Sequence, residues 1–209
     1  MNIQSTYDNI LKIIFLGDSG VGKSNFLFRF VEGKFAYNSS ATIGLNYKSK
    51  LCTLPKSKKK VLLQLWDTAG QEKYMSITKI FFQKVQGIVL MYDITKRESY
   101  EKLPKWVQII KETTYDVPVL LIGNKIDDED ENRIVRTQEG QNFAKDNGYL
   151  FYETSALTGK NVNHSIYDLC ESVMSIYEIK SNEEAFGRTL ENLKGPKKKD
   201  PALKSEKCC

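Results

Sequence analysis

Short runs rich in Ile, Leu and Val, at residues 11–16, 45–54, 61–66, 87–92, 117–123 and 149–153, alternate with longer stretches whose apolar residues recur every three or four positions. Several short runs are apolar at successive positions, as strands covered on both faces must be. The longer stretches, residues 24–31, 99–115, 137–147 and 162–179, are expected helices. In the second of them Leu103, Trp106, Val107 and Ile110 form one apolar stripe. This alternation predicts a doubly wound α/β sheet with ligands at the carboxyl ends of its strands. The basic turn at residues 55–60 joins two strands with no helix between them, so an antiparallel hairpin with a solvated tip is expected there.

No apolar run exceeds about seven residues, far short of the ~20 that cross a membrane. Residues 1–9 are polar and do not form a secretory signal, which places the chain in the cytosol or nucleus. Cys52 and Cys170 are isolated, Cys208 and Cys209 adjoin at the end, and His164 is the one histidine; disulfide frameworks, zinc sites and His-based triads are therefore not expected. The net charge of +5 is uneven: residues 194–209 hold six lysines against Asp200 and Glu206. A near-neutral body argues against a nucleic-acid-binding domain, and the basic end suits an acidic surface. Beyond Lys180 apolar positions thin out and Gly195, Pro196 and Pro201 interrupt any helix, which divides the chain into a folded part at residues 1–180 and a mobile basic tail at 181–209.

Three motifs carry chemistry. Gly17-Asp18-Ser19-Gly20-Val21-Gly22-Lys23-Ser24 follows a strand and opens a helix, the context of a phosphate loop. Its glycines let backbone N–H groups converge on phosphate, Lys23 reaches the outer phosphates, and the Ser24 hydroxyl is offered to magnesium. Asn124-Lys125-Ile126-Asp127 ends a later strand: Asp127 can accept from N1–H and N2–H of guanine, a donor pair that adenine lacks, while Lys125 can cover the base and Asn124 can tie this loop to the phosphate loop. Between them lies Trp66-Asp67-Thr68-Ala69-Gly70-Gln71-Glu72, where Asp67 can hold magnesium, the Gly70 N–H can approach the γ-phosphate and Gln71 can orient an attacking water. The Thr42 hydroxyl is a candidate second magnesium ligand.

With these motifs, Thr42-Ile43-Gly44, Ser76-Ile77-Thr78 ahead of Phe81-Phe82 and the Cys208-Cys209 end, the sequence resembles the Ras superfamily of small GTPases and, within it, the Rab branch, over residues 11–178. The resemblance implies a P-loop NTPase fold of three α/β/α layers, its six-stranded, mostly parallel sheet having one antiparallel edge strand and five helices around it. It implies that Lys23, Thr42 and Gln71 are catalytic and that Ser24, Thr42 and Asp67 bind Mg2+. It places GTP or GDP on Ser19, Gly20, Val21, Gly22, Lys23, Ser24, Asn25, Phe35, Thr42, Gly70, Asn124, Lys125, Asp127, Ser155, Ala156 and Leu157, with Phe35 edge-on to guanine and the Ala156 N–H on its O6. It further implies a switch in vesicle trafficking, served by an exchange factor, an activating protein, a GDP-dissociation inhibitor and effectors. Cys208 and Cys209 would be geranylgeranylated by a geranylgeranyltransferase that needs an escort protein, giving a pool on the cytoplasmic face of intracellular membranes and another in the cytosol.

Leu157 departs from the family's usual lysine, which predicts weaker support for the base, and Leu45-Asn46-Tyr47 and Lys73-Tyr74 depart where partners bind. Tyr47, Trp66 and Phe81 or Phe82 are either core packing or a partner surface. Two other functions fit a phosphate loop: an ATP-dependent small-molecule kinase, which Asp127 and Gln71 speak against, and a nucleotide-binding scaffold without hydrolysis.

Overall fold

The computed structural model describes residues 7–37, 45–68, 82–128 and 132–193, with backbone alone for residue 45 and residues 180–193. Its six strands are β1 (Asn9–Leu16), β2 (Leu45–Thr53), β3 (Lys60–Thr68), β4 (Gly87–Asp93), β5 (Val119–Asn124) and β6 (Leu150–Thr154). They form one sheet in the order β2-β3-β1-β4-β5-β6. Only β2 and β3 run antiparallel, as the helix-free turn between them requires; the other neighbours are parallel. All seven residues of β4 and all six of β5 are buried, the continuous pattern of strands covered on both faces.

The helices among the described residues are α1 (Lys23–Glu32), α2 (Arg97–Glu101), α3 (Leu103–Thr113), α4 (Thr137–Asn147) and α5 (Val162–Leu193). On one face of the sheet, Ile14, Leu16, Ile88, Leu90 and Leu121 share a core with Leu103, Trp106, Val107 and Ile110 of α3 and Ala144 of α4. On the other, Phe26 of α1 stacks against Phe15, and a Cβ at Gly87 would touch Leu169 and Val173 of α5. Burying each such large side chain stabilises the fold by about 1.5–3 kcal/mol. The arrangement is the expected three-layer α/β/α fold.

The helix expected over residues 99–115 is two helices meeting at Lys102. Pro104 lacks the N–H that would bond to the Tyr100 carbonyl, so the chain turns tightly and both Lys105 N and Trp106 N donate to the Lys102 carbonyl. Residues 137–147 form a helix at the expected bounds. The last helix runs on to Leu193, since residues 180–193 hold one glycine and no proline among good helix formers. The chain divides into two compact units after Val173: the first holds the sheet, and the second begins at Met174 within α5. The tail cysteines Cys208 and Cys209 lie outside the described residues.

The basic hairpin tip is exposed but anchored. Glu171 of α5 accepts from the N–H groups of Lys56 and Ser57 at 2.7 and 3.0 Å, and the Lys56 ammonium meets Asp168 at 2.8 Å. Tyr47 and Trp66 stack at 4.9 Å with Tyr47 47% exposed, whereas Phe82 is 4% exposed in the core. Phe82 is thus core; Phe81 lies outside the described residues.

Candidate functional site

Parallel strands deliver their carboxyl ends to one edge of the sheet: β1 runs into Gly17 of the phosphate loop, β3 ends on Asp67 and Thr68, β4 on Asp93, β5 on Asn124, and β6 on Thr154 next to Ser155. From β1 the chain enters the phosphate loop through Gly17, Gly20 and Gly22, all at positive φ. A Cβ at Gly17 would lie 2.2 Å from the Met91 carbonyl oxygen, and one at Gly22 would lie 2.4 Å from the Asn124 amide nitrogen, so the loop's closeness to its neighbours excludes larger residues there. Val21 is buried, while Ser19 and Gly20 are exposed and Asn25 is half-buried in the first turn of α1.

The Lys23 ammonium is buried inside this loop and donates to the Gly17 and Asp18 carbonyl oxygens at 2.7 and 2.8 Å. Burial pulls its pKa down to about 8, against the opposing pull of Asp67 and Asp18. A bound phosphate chain would raise that pKa again, so the complex holds a proton that the free protein loses above pH 8. Nucleotide affinity is therefore expected to fall as pH rises above about 8, by up to about tenfold per pH unit. Titration calorimetry at pH 9 in buffers of different ionisation enthalpy should register proton uptake on GDP binding; no uptake would remove Lys23 from the linkage.

The Ser24 hydroxyl donates to Asp67 Oδ2 at 2.5 Å, which sets a hydroxyl and a buried carboxylate side by side where α1 starts and β3 ends. Two adjoining hard oxygen donors suit magnesium. Thr42, Gly70 and Gln71 lie outside the described residues.

At the end of β5, Asn124 joins separate segments. Its amide nitrogen donates to the Val21 carbonyl at 2.9 Å, and its oxygen accepts from the Thr154 hydroxyl at 3.1 Å and from Ala156 N at 3.3 Å. Lys125 takes a positive φ of 76° and sends its ammonium to Asp93, 0% exposed, at 2.6 Å. Asp127 is exposed in the short 3-10 turn at Ile126–Asp128, and its Oδ1 accepts from the Ser155 hydroxyl, which in turn accepts from Thr158 N at 2.9 Å. Ser155 and Ala156 are buried and Leu157 is half-buried; Phe35, after α1, packs edge-to-face on exposed Tyr37.

The structure thus brings the phosphate loop, the Asn124–Asp127 segment and the Ser155–Leu157 loop together. It also recruits residues the sequence reading passed over. Asp93 anchors Lys125 and accepts from Thr95 N at 2.9 Å; an acid closing a wholly apolar strand was its signal. Lys102 pairs with Asp18 at 2.8 Å, balancing an acid in an anion-binding loop, and no spacing links them. Arg29 donates to carbonyls of the Ser155–Leu157 loop.

Comparison with known proteins gives this edge its identity. Residues 12–175 match the Ras family. The chain belongs to the Ras family. As a small GTPase of that family it binds guanine nucleotide and hydrolyses GTP, and the Ras-type cycle is served by exchange and activating factors. The ATP-dependent kinase is thereby excluded. The chain is 40% identical to human Ras-related protein Rab-15, over 97% of each chain, and 38% identical to Ras-related protein Rab-8 of Diplobatis ommata, over 96% of this chain and 95% of that protein. These full-length relatives place it on the Rab side of the family. It is also 44% identical over 166 residues to human EF-hand calcium-binding domain-containing protein 4B, of which it spans 22%. No described helix is long and apolar enough to cross a membrane.

Proposed function

We propose that this Ras family member is a Rab-type switch that cycles on and off membranes to regulate vesicle-mediated transport. The observation that carries its nucleotide chemistry is the Asn124 amide, which ties a phosphate loop to a guanine-reading segment in one site. Lys23, already pointing its ammonium into the loop, donates to the outer phosphates and counters charge as it moves toward the leaving oxygen. Mg2+, when bound by Ser24 and Asp67 with Thr42, supplies further neutralisation of the β- and γ-phosphates. Gly70 places its N–H at the γ-phosphate and Gln71 orients water for in-line attack. Asp127 reads the guanine N1–H and N2–H, the Ala156 N–H reads O6, and Phe35 flanks the ring. The loops around Thr42 and Gln71 are held by GTP and released by hydrolysis. Arg29, the arginine nearest the phosphate loop in sequence, is engaged with backbone carbonyls, which supports an activating protein that provides the missing cation in trans.

Gln71→Leu is expected to slow single-turnover GTP hydrolysis, without an activator, by about tenfold or more while leaving nucleotide affinity within about twofold, because leucine fills the volume and orients no water. Unchanged turnover in the variant would remove Gln71 from the mechanism.

The tail is proposed as the membrane anchor. Cys208 and Cys209 are read as geranylgeranylated with the help of an escort protein, and a GDP-dissociation inhibitor would extract the lipidated form into a cytosolic pool. Two chains matter because burial contributes about 0.8 kcal/mol per CH₂ and one chain holds only reversibly; nearby lysines add up to about 1 kcal/mol each at an anionic leaflet. Replacing both cysteines by serine should move the protein to the cytosolic fraction with GTP binding unchanged. Persistence of the double variant on membranes would refute the anchor.

A further inference from the structure

The guanidinium of Arg29 links α1, whose first turn adjoins the phosphate loop, to the Ser155–Leu157 loop. Its Nε donates to the Ala156 carbonyl at 2.9 Å, its Nη2 donates to the Leu157 carbonyl, and its Nη1 donates to the carbonyl of Gly33, the C-cap of α1, at 2.7 Å. The Ser155–Leu157 loop then bends around the side chain: Gly159, at φ 87°, is close enough that a Cβ there would lie 3.6 Å from Arg29 Cδ. Every one of these acceptors is a backbone oxygen, so the grip does not depend on which side chains the loop carries.

We propose that Arg29 is a positioning residue for base recognition, holding the Ala156 peptide so that its N–H addresses position 6 of the purine. This rests on the guanine-reading role given above to Ala156 and Asp127. Arg29 holds the two peptide planes that follow Ala156 and Leu157, while Ala156 N, in the plane before them, donates to Asn124 Oδ1 at 3.3 Å; Arg29 and Asn124 thus hold Ala156 from both sides, and the purine atom at position 6 would share that N–H with Asn124 Oδ1. The anchor for this grip is rigid, because Arg29 stands on the same helix that starts at Lys23 and Ser24. From Lys23 to Arg29 the helix advances about 9 Å, at 1.5 Å per residue, so α1 sets a fixed span between the phosphate end and the base end. A second tie, from the Asn124 amide to the Val21 carbonyl, closes the frame.

The grip also accounts for how the loop is supported with Leu157 in place of the family's usual lysine: Arg29 holds that residue by its carbonyl. Arginine suits the task because its planar fork presents several N–H donors in fixed directions, whereas a lysine offers one compact charge and cannot reach three carbonyls in one geometry.

The test compares GDP with 6-thio-GDP, whose sulfur is a weaker acceptor at position 6, in the full-length protein and in Arg29→Met and Arg29→Lys. Equilibrium affinity and dissociation rate are measured for both nucleotides, alongside the melting temperature. The expected result is that the parent protein prefers GDP, that Arg29→Met lowers GDP affinity by about tenfold, the worth of one hydrogen bond to the base, and that 6-thio-GDP loses much less, so the preference collapses. Arg29→Lys should restore the melting temperature without restoring the preference, and it stands in should the methionine variant fail to fold. Equal losses for both nucleotides would make Arg29 a structural residue and overturn the proposal, as would unchanged GDP affinity or a parent protein indifferent to the 6-position. The failure of the base-reading itself is separable: Asp127→Asn in the parent background reports on that pocket without touching Arg29.

Discussion

Asp127→Asn should lower GDP and GTP affinity by about a hundredfold or more and turn the preference toward xanthine nucleotides. The Asp127 carboxylate has about four acceptor directions, of which the Ser155 hydroxyl takes one and fixes the plane of the group. The remainder suffices for N1–H and N2–H of guanine. An amide keeps one acceptor but presents N–H donors to the guanine amino group, leaving two donors facing each other; xanthine, with a carbonyl at C2, accepts instead. Sites built on such pairing reject an analogue by roughly 10⁴–10⁵ at their best. Ser155 can still donate to the amide oxygen, so the loop is retained and the effect stays in specificity. Competition of labelled GDP against GTP and XTP measures it, and an unaltered preference would mean that Asp127 does not read the base.

A second large effect is expected from one methyl group. Gly22 has φ 99°, and an added Cβ would lie 2.4 Å from the Asn124 amide nitrogen, itself bonded to the Val21 carbonyl. Gly22→Ala must therefore strain the backbone by about 1–3 kcal/mol or displace Asn124, and displacing Asn124 breaks its contacts with Val21, Thr154 and Ala156 together. Nucleotide affinity should fall by about five- to 150-fold, the equivalent of that strain. Gly148→Ala is the control: its φ is 70°, nothing lies within 4 Å of a Cβ there, and it caps α4, outside the contacts of Asn124 and Arg29. It should lower stability by about 1 kcal/mol and leave nucleotide affinity unchanged. Equal affinity losses in both variants would mean that general destabilisation, and not the Asn124 contact, accounts for the effect of Gly22→Ala.

Much of this was legible in the chain itself. Strands such as Gly87–Asp93 stand out because burial on both faces demands apolar residues at every position, and the spacing of the phosphate loop follows from backbone geometry that only glycine permits. Pro104 also announced the break at Lys102, although the unbroken apolar stripe from Leu103 to Ile110 masked it. The extent of α5 was hidden for a different reason: thinning apolar residues report burial, whereas helix propensity persists through the glutamates, alanine and leucines of residues 183–193. Arg29, Lys102 and Asp93 could not be assigned by pattern, since their partners lie 127, 84 and 32 residues away and are, for Arg29, backbone atoms that no residue type betrays.

The contacts of Asn124 carry a thermodynamic consequence. Because Val21, Thr154 and Ala156 all rest on one amide, the nucleotide-facing segments lean on each other at the sheet edge, and a ligand that bridges them adds directly to the free energy of the folded state. That addition grows with ligand concentration, reaching about 4 kcal/mol at a thousandfold excess over Kd. The melting temperature of this chain is accordingly a property of its nucleotide supply as much as of its sequence.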